Sequence, residues 1–224
     1  KGGDMFYSRR LQDDLLNASK VTGRTKNALG AAILNAVTNQ TEQDPLTNYN
    51  VMIFDQAFGN SSSVSLMNTH MLQKGNHKDA NVTGIFTRIN NKENTHTYTS
   101  KLKMSQEFDG TNLIKGFAGM FAVENNNGNY RYKLFSILED DKYNPNDLGF
   151  LYANNEITNG IDLGYEQLTK NKTFIFRKHY LFVSHKTLFT DNKFVNLEIE
   201  AENEFMLKNY LFLMLKIVAN PYEK

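Results

Sequence analysis

The stretch VTGRTKNALGAAILNAVT, residues 21–38, decides the fold class of this chain. Its residues alternate in character on both sides of Lys26 and Asn27, the pair at which we expect the chain to reverse. Period-two alternation on either side of a short turn predicts a β-hairpin. Small residues on one face of the second strand favour a close neighbouring backbone or a bulge. These small residues are Ala28, Gly30, Ala32 and Ala36.

The hairpin rhythm of residues 21–38 recurs along the rest of the chain and predicts about twelve strands. The predicted strands cover 19–25, 28–38, 47–57, 63–72, 81–89, 95–105, 115–124, 130–138, 157–167, 173–189, 194–204 and 210–218, with one turn at Gly59 and Asn60. Strands of about 9 to 14 residues with alternately tight and long connections fit a membrane-spanning barrel better than a soluble sandwich. We therefore predict an all-β, antiparallel, up-and-down transmembrane β-barrel, with residues 1–224 as a single segment of a larger barrel.

Composition excludes several classes of protein. Of the 224 residues, 40% are hydrophobic and 22% charged, a balance typical of folded chains. A net charge of +1 without a basic block predicts no nucleic-acid partner. The absence of cysteine excludes disulfides and thiolate metal sites. The sequence contains no run of about 18 apolar residues, so we expect no transmembrane helix. The low mean hydropathy is compatible with barrel strands, in which only alternate residues face lipid.

Residues 1–16 combine two aromatic residues with four charged ones, and two interpretations stay open. The segment is either a solvated loop or a charged segment that lines or plugs a lumen. It lacks the apolar stretch of a signal peptide, so we expect this chain to be part of a longer protein. The side chains in question are Phe6, Tyr7, Arg9, Arg10, Asp13 and Asp14.

The predicted strand 194–204 has a column of glutamates on one face and apolar residues on the other. A turn at 190–192 that pairs Val183 with Glu198 places Arg177 opposite Glu204, and His179 opposite Glu202. Opposite-charge neighbours of this kind contribute about 0.2–1 kcal/mol each. Alternation along the next strand adds Lys216 to the same face. The predicted lumen-lining residues are Arg177, His179, Glu198, Glu200, Glu202, Glu204 and Lys216.

Lys178 is the exception to this arrangement, because the same register places it on the aromatic face with Phe176 and Tyr180. A lysine at the bilayer midplane costs about 2–4 kcal/mol, whereas one near an interface costs about 0–1 kcal/mol. We therefore expect Lys178 to lie outside the apolar belt. A soluble sheet with one wet face and one core face explains the same alternation and stays open as an alternative.

The sequence shows no catalytic constellation, and we predict no catalytic, cofactor or metal site. The glutamate column contains acid pairs of the kind that glycoside hydrolases use, but such a ladder is typical of a solvated or lumen face. The loop residues Asp140, Asp141, Asn144, Asn146 and Asp147 have the composition of a calcium loop without the spacing of an EF-hand. The histidines, which lack the spacing of metal motifs, are His70, His77, His96, His179 and His185.

Four phrases of the sequence resemble one protein family. They are FYSRRL (6–11), KVTGRTKNALGAAILNAVT (20–38), DPLTNYNV (44–51) and NDLGFL (146–151). The chain is similar in these phrases to the family called domain of unknown function 5916. In that family's Gly-rich second strand, this chain has Ala28, Ala31 and Ala32 instead.

The resemblance implies a fold, a location and a partner. Members are large proteins of Bacteroidota whose C-terminal part is regarded as a barrel in the bacterial outer membrane, so the implied partners are outer-membrane lipid and other outer-membrane proteins. The family typically has an upstream domain similar to family 9 carbohydrate-binding modules, which this chain lacks. We therefore expect uptake or handling of a small solute or glycan through a polar lumen, without catalysis. The alternatives are a soluble carbohydrate-binding module and a β-fold glycoside hydrolase.

Overall fold

The computed structural model describes residues 3–11, 14–42, 45–59, 61–75 and 78–223, with Glu223 described for its backbone alone. Asp13, Asn60 and His77, which entered the predictions above, lie outside these ranges. The strands are β1 (Leu15–Arg24), β2 (Leu29–Thr38), β3 (Thr47–Phe58), β4 (Ser62–Gln73), β5 (Asp79–Asn90), β6 (His96–Phe108), β7 (Leu113–Asn125), β8 (Tyr130–Glu139), β9 (Glu156–Gln167), β10 (Phe174–Leu188), β11 (Phe194–Leu207) and β12 (Phe212–Glu223). A 3-10 turn at Ser8–Arg10 precedes them. No helix among the described residues is long and apolar enough to cross a membrane.

The strands form one sheet in which each strand lies beside the next in the chain, in the order β1 to β12. The prediction of an all-β, antiparallel meander of about twelve strands is therefore confirmed. β1 and β12 are the edge strands of this sheet within the described residues, so closure into a barrel stays a prediction.

β1 and β2 form the predicted hairpin, and its turn contains Lys26 and Asn27. The N–H of Thr25 donates to the carbonyl of Leu29 at 2.8 Å, and the Thr25 hydroxyl accepts from the N–H of Leu29 at 3.2 Å. Ala28, the last loop residue, has a φ of 62°. A left-handed residue at the end of a three-residue loop matches the twist of a hairpin, although glycine is the usual choice there.

Contacts divide the chain into two compact units. The first unit comprises Lys1–Arg88, Ser100–Gly119 and Glu139–Asn155, and the second comprises Ile89–Thr99, Met120–Leu138 and Glu156–Lys224. Each unit is described below by itself.

In the first unit, one face of the sheet is covered by other parts of the chain, and we call it the covered face. It is defined by Tyr49, Val51, Met67, Met71 and Val82, all buried. Residues from the segment 3–11 and the connection 140–155 pack on it, forming two hydrophobic clusters. The opposite face exposes apolar side chains to the surroundings: Ile33, Met52, Phe54, Leu66 and Ile85.

In the second unit, the strands β9 to β12 leave both faces of the sheet accessible. The side chains of β9, β10 and β11 are mostly half-buried, and those described in β12 are all exposed. Pro221 lies in β12 near an irregularity in the pairing with β11, between Leu197 and Ile199. Proline lacks a backbone donor and is tolerated in an edge strand at such a place.

Candidate functional site

The candidate site is the face of the second unit that contains the glutamates of β11, which we call the carboxylate face. Side chains in a strand alternate between faces, and directly paired residues of neighbouring strands share a face. Glu202 pairs with Tyr180 on one side and with Lys216 on the other. Tyr180 pairs in turn with Gly164 of β9. The carboxylate face therefore continues across β9, β10, β11 and β12, and its defining residues are Glu198, Glu200, Glu202 and Glu204.

The predicted pairing of β10 with β11 is correct at the turn and wrong beyond it. Thr187 pairs with Phe194, in agreement with the predicted register, but the next pair is Lys186 with Asn196. A β-bulge leaves Val195 as one extra residue on β11, and this residue shifts the pairs from Lys186 to Phe176 by one, until a second irregularity restores the predicted register at Phe174 and Leu207. Val183 consequently pairs with Ile199, and Glu198 pairs with Ser184. A shift of one residue exchanges the two faces of a strand relative to its neighbour.

The predicted partnerships of Arg177 and His179 are therefore corrected. Arg177 pairs with Phe205 and His179 pairs with Asn203, so both side chains lie on the face opposite to the glutamates. The other predicted lumen residues do share one face: Glu198, Glu200, Glu202, Glu204 and Lys216. That this face lines a lumen stays a prediction.

Lys178 takes the place predicted for Arg177. It pairs with Glu204, and its Nζ lies 3.0 Å from a carboxylate oxygen of that residue. The predicted aromatic neighbours of Lys178 are present, since its Nζ lies 5.4 Å from the ring centre of Phe176, but the bulge places this group on the carboxylate face. That Lys178 lies outside an apolar belt stays a prediction. No unpaired cation has to be accommodated on an apolar surface at this position.

Oppositely charged side chains alternate over the carboxylate face. Lys216 lies 2.6 Å from Glu200, and Lys186 lies 2.8 Å from Glu156. From β8, Arg131 reaches Glu166 at 3.0 Å. The partners are partly exposed, so each ion pair contributes about 0–1 kcal/mol. The surface is polar and has a negative net charge, because six carboxylates accompany four cations among the residues named on it.

A cleft of about 240 Å³ opens on this face where β7, β8, β9 and β10 contribute side chains. Gly164 provides the space, because a Cβ there would lie 3.3 Å from the ring of Tyr180. The Tyr180 hydroxyl donates to Glu166 at 2.6 Å, which orients its ring along the cleft. The residues that line the cleft are Glu124, Asn125, Asn126, Arg131, Tyr132, Lys133, Asp162, Gly164 and Tyr180.

The lining of this cleft was only partly visible in the sequence. Alternation of Arg131 and Lys133 along β8 is readable, but the ion pair of Arg131 with Glu166 depends on how β8 meets β9. No local signal in the sequence gives that register. Carboxylates, amides, two cations and two tyrosines in one cleft can hydrogen-bond a polar solute from several sides.

The opposite face of the second unit is apolar, with a row of rings toward one end of the strands. Ring centroids lie 5.0 Å apart for Tyr130 and Tyr165, 5.9 Å for Tyr165 and His179, and 5.4 Å for His179 and Phe205. Phe174 continues the series at 5.7 Å from Phe205. We call these five residues the ring row. Beyond it the same face presents Leu163, Leu181, Ala201 and Leu215.

In the first unit, the segment 3–11 is tied to the connection 140–155 and to the covered face. The N–H of Tyr7 donates to the carbonyl of Leu148 at 2.6 Å, and the N–H of Phe150 donates to the carbonyl of Asp4 at 2.9 Å. The Asp4 carboxylate forms an ion pair with Lys103 of β6. This part of the segment is therefore packed on the sheet, although Tyr7, Arg9 and Arg10 are exposed. That it plugs a lumen stays a prediction.

The connection 140–155 uses its polar side chains to hold its own backbone. Asp140 accepts from the N–H of Phe117 at 2.8 Å and from that of Lys142 at 3.0 Å. Asn146 accepts from the N–H of Leu151 at 2.7 Å. These bonds give the calcium-like composition of the connection a structural explanation. Among the residues that the structure describes, no cluster of His, Asp and Glu could hold a metal ion.

Lys78 joins this connection to the sheet through two carboxylates. Its Nζ lies 3.0 Å from Glu107 of β6 and 3.0 Å from Asp147. Burial lowers the pKa of Lys78, but the hydrogen bonds and charges of Asp147 and Glu107 outweigh burial and leave the pKa above its usual value. The ammonium therefore stays charged near neutral pH and keeps the connection attached.

These features together define a β-sheet protein with a charged and an apolar face. The model of the family called domain of unknown function (DUF5916) matches residues 2–224, nearly the whole chain. The chain belongs to this family, as its four phrases predicted. No curated protein and no solved structure matches the chain.

Proposed function

We propose that this chain forms part of the wall of a β-barrel in the bacterial outer membrane. Its carboxylate face lines a polar lumen, and its apolar face contacts lipid. The lumen serves the uptake or handling of a small polar solute, including a glycan fragment, and performs no catalysis. The observation that supports this most directly is that the ion pairs of β9 to β12 lie on one face, whereas the other face presents exposed leucines beside the ring row and Arg177.

The exposure of the apolar face is the informative part of this arrangement. A soluble sheet buries its apolar face, yet Leu163, Leu181 and Leu215 are exposed here while the charged side chains are partly buried. The first unit shares the exposed apolar face, since Ile33, Phe54 and Leu66 point away from the covered face, but the buried centre of that covered face is itself hydrophobic. Outward apolar residues that alternate with inward polar ones are the signature of a membrane barrel.

Cysteine pairs at adjacent positions test the proposal, since the chain has no cysteine of its own. We would place Asp162→Cys and Leu163→Cys, or Glu202→Cys and Ala201→Cys, singly into the full chain reconstituted in lipid vesicles. A water-soluble maleimide should modify the positions of Asp162 and Glu202 and leave those of Leu163 and Ala201 protected. The neighbour in each pair is the matched control, because it differs in face alone.

Two results would overturn the proposal. Equal modification of both members of each pair would show that neither face contacts lipid. A full chain that is monodisperse in plain buffer without detergent would favour the soluble alternatives. Solute passage requires a separate measurement, conductance in planar bilayers, because the segment 3–11 covers part of the sheet.

A further inference from the structure

One end of the second unit has a group of exposed lysines whose surroundings differ from those of the paired cations in this unit. The turn 168–173 joins β9 to β10, and the turn 208–211 joins β11 to β12. The N–H of Lys208 donates to the carbonyl of Thr173 at 3.2 Å, which places the two turns side by side. We call these two turns the lysine rim, and their exposed lysines are Lys170, Lys172 and Lys208.

The lysines of the rim have no carboxylate within ion-pair distance among the described residues. Elsewhere in the second unit, the cations of β8 to β12 that face the carboxylates are paired, as are those of the opposite turn. Lys193, for example, lies 2.6 Å from Asp191 in the turn 189–193. The paired cations are Arg131, Lys133, Lys178, Lys186, Lys193 and Lys216.

Arg177 extends this unpaired charge onto the apolar face at the level of the ring row. Its guanidinium lies 5.3 Å from the ring centre of Tyr165 and 6.0 Å from that of Phe174. Its Nε donates to Gln167 at 2.9 Å. The guanidinium therefore lies over aromatic rings, a place where cation–π attraction holds it without an anionic partner.

We propose that the lysine rim and Arg177 bind the phosphate groups of anionic lipid headgroups. The inference rests on the proposed function, because it requires the apolar face to contact lipid. Rings with one apolar and one polar side lie at the boundary between hydrocarbon and headgroups. The ring row therefore marks that boundary, and the lysine rim lies beyond it. Unpaired ammonium and guanidinium groups at headgroup level meet lipid phosphates, whereas the paired cations of the carboxylate face do not.

Lipid selectivity in vesicles tests this inference. The full chain is reconstituted into phosphatidylcholine mixed with phosphatidylglycerol in equal parts, and the relative association of spin-labelled forms of the two lipids is measured. At about fivefold for each basic side chain near a lipid surface, the native chain should prefer phosphatidylglycerol by at least several-fold. The variant Lys170→Gln/Lys172→Gln/Lys208→Gln should lose most of that preference and keep only the part that Arg177 supplies. Raising the salt concentration should weaken the preference of the native chain.

Control variants separate the rim from general charge. Lys193→Gln removes one positive charge at the opposite end of β10 and should keep the preference, since Lys193 is already paired. Arg177→Gln should lower the preference partway. An unchanged preference in the triple variant would overturn the inference, as would a native chain that shows no preference. A preference abolished by inorganic phosphate but not by sodium chloride of equal ionic strength would indicate a site for a soluble anion and would also overturn it.

Failure of this inference is distinguishable from failure of the proposed function. The cysteine pairs report whether the apolar face contacts lipid at all. If Leu163→Cys is protected while lipid selectivity is absent, only the assignment of the lysine rim is wrong.

Discussion

The two units treat one face of their strands in different ways. In the first unit, the segment 3–11 and the connection 140–155 cover one face, and Met5 and Tyr143 of these segments are both 0% exposed where they pack on it. In the second unit, no described segment covers the carboxylate face, which is held by ion pairs between partly exposed side chains. Apolar burial is worth far more than such ion pairs. The first unit is therefore stabilised through its covered face, whereas the carboxylate face of the second unit stays accessible between its ion pairs.

The largest effect is expected for Met5→Ala in the first unit. Met5 belongs to the hydrophobic cluster with Val51, Met67 and Tyr143. Truncation of a fully buried methionine leaves a cavity and costs about 2–5 kcal/mol. Urea unfolding of the detergent-solubilised chain should show this loss.

The matched control is Met214→Ala on β12, where the side chain is 59% exposed. Its cost should stay below about 1 kcal/mol, since little apolar area is lost. Equal losses in the free energy of unfolding for the two variants would contradict the distinction between the two units.

The next effect concerns the attachment of the connection 140–155. A Cβ on Gly116 would overlap the backbone of Lys142 and Tyr143. Because backbone atoms cannot rotate away, Gly116→Ala should cost about 1–3 kcal/mol. The connection should also become sensitive to proteases.

Gly119→Ala on the same strand provides the control, since its new Cβ would meet its nearest neighbours at an ordinary 3.8 Å. A protease pattern that is identical in the two variants would contradict the tight packing of the connection on β7.

A smaller effect, of opposite sign, is expected at one kind of turn, which occurs in both units. Ala28 has a φ of 62° and Tyr210 a φ of 65°, and both follow the same hydrogen-bond pattern. Left-handed backbone costs a non-glycine residue about 1–2 kcal/mol. Ala28→Gly and Tyr210→Gly should therefore each stabilise the chain by about 1 kcal/mol, measured by the same urea titration. Destabilisation by Ala28→Gly alone would mean that the units differ in their turns as well as in their faces.

The smallest effect is expected for the ion pair of Lys178 and Glu204 in the second unit. A double-mutant cycle with Lys178→Gln and Glu204→Gln should give a coupling energy of about 0.2–1 kcal/mol. The same cycle with Arg177→Gln in place of Lys178→Gln should give none, because Arg177 lies on the other face. A coupling energy between Arg177 and Glu204, in place of one between Lys178 and Glu204, would contradict the bulge and support the register predicted from the sequence.

The sequence was a good guide to the strands and a poor one to their long-range placement. Alternation identified the hairpin around Lys26 and Asn27 and most strand bounds, because side-chain period is a local property. It missed the early start of β1 at Leu15 and the late end of β12 at Glu223. It also could not foresee that Met5 and Tyr143 share a cluster, because that contact joins segments with no periodic pattern.

The candidate site shows the same limit at the level of single residues. Glu198, Glu200, Glu202 and Glu204 were placed together from one strand, and Lys216 was added correctly from the next. Arg177 and Lys178 were exchanged because the face of a neighbouring strand depends on every residue between it and the turn. Val195 carries no turn or glycine signal that would mark it as the extra residue.

Val195 also has a genetic consequence. Deletion of its codon would remove the bulge and leave Lys186 opposite Asn196, with all later pairs unchanged. Deletion of a codon further along β11 would turn the remaining glutamates toward the apolar face unless a new bulge formed. Natural variation in the length of this strand should therefore be concentrated next to the turn, where the strand can gain or lose a residue without an exchange of its two faces.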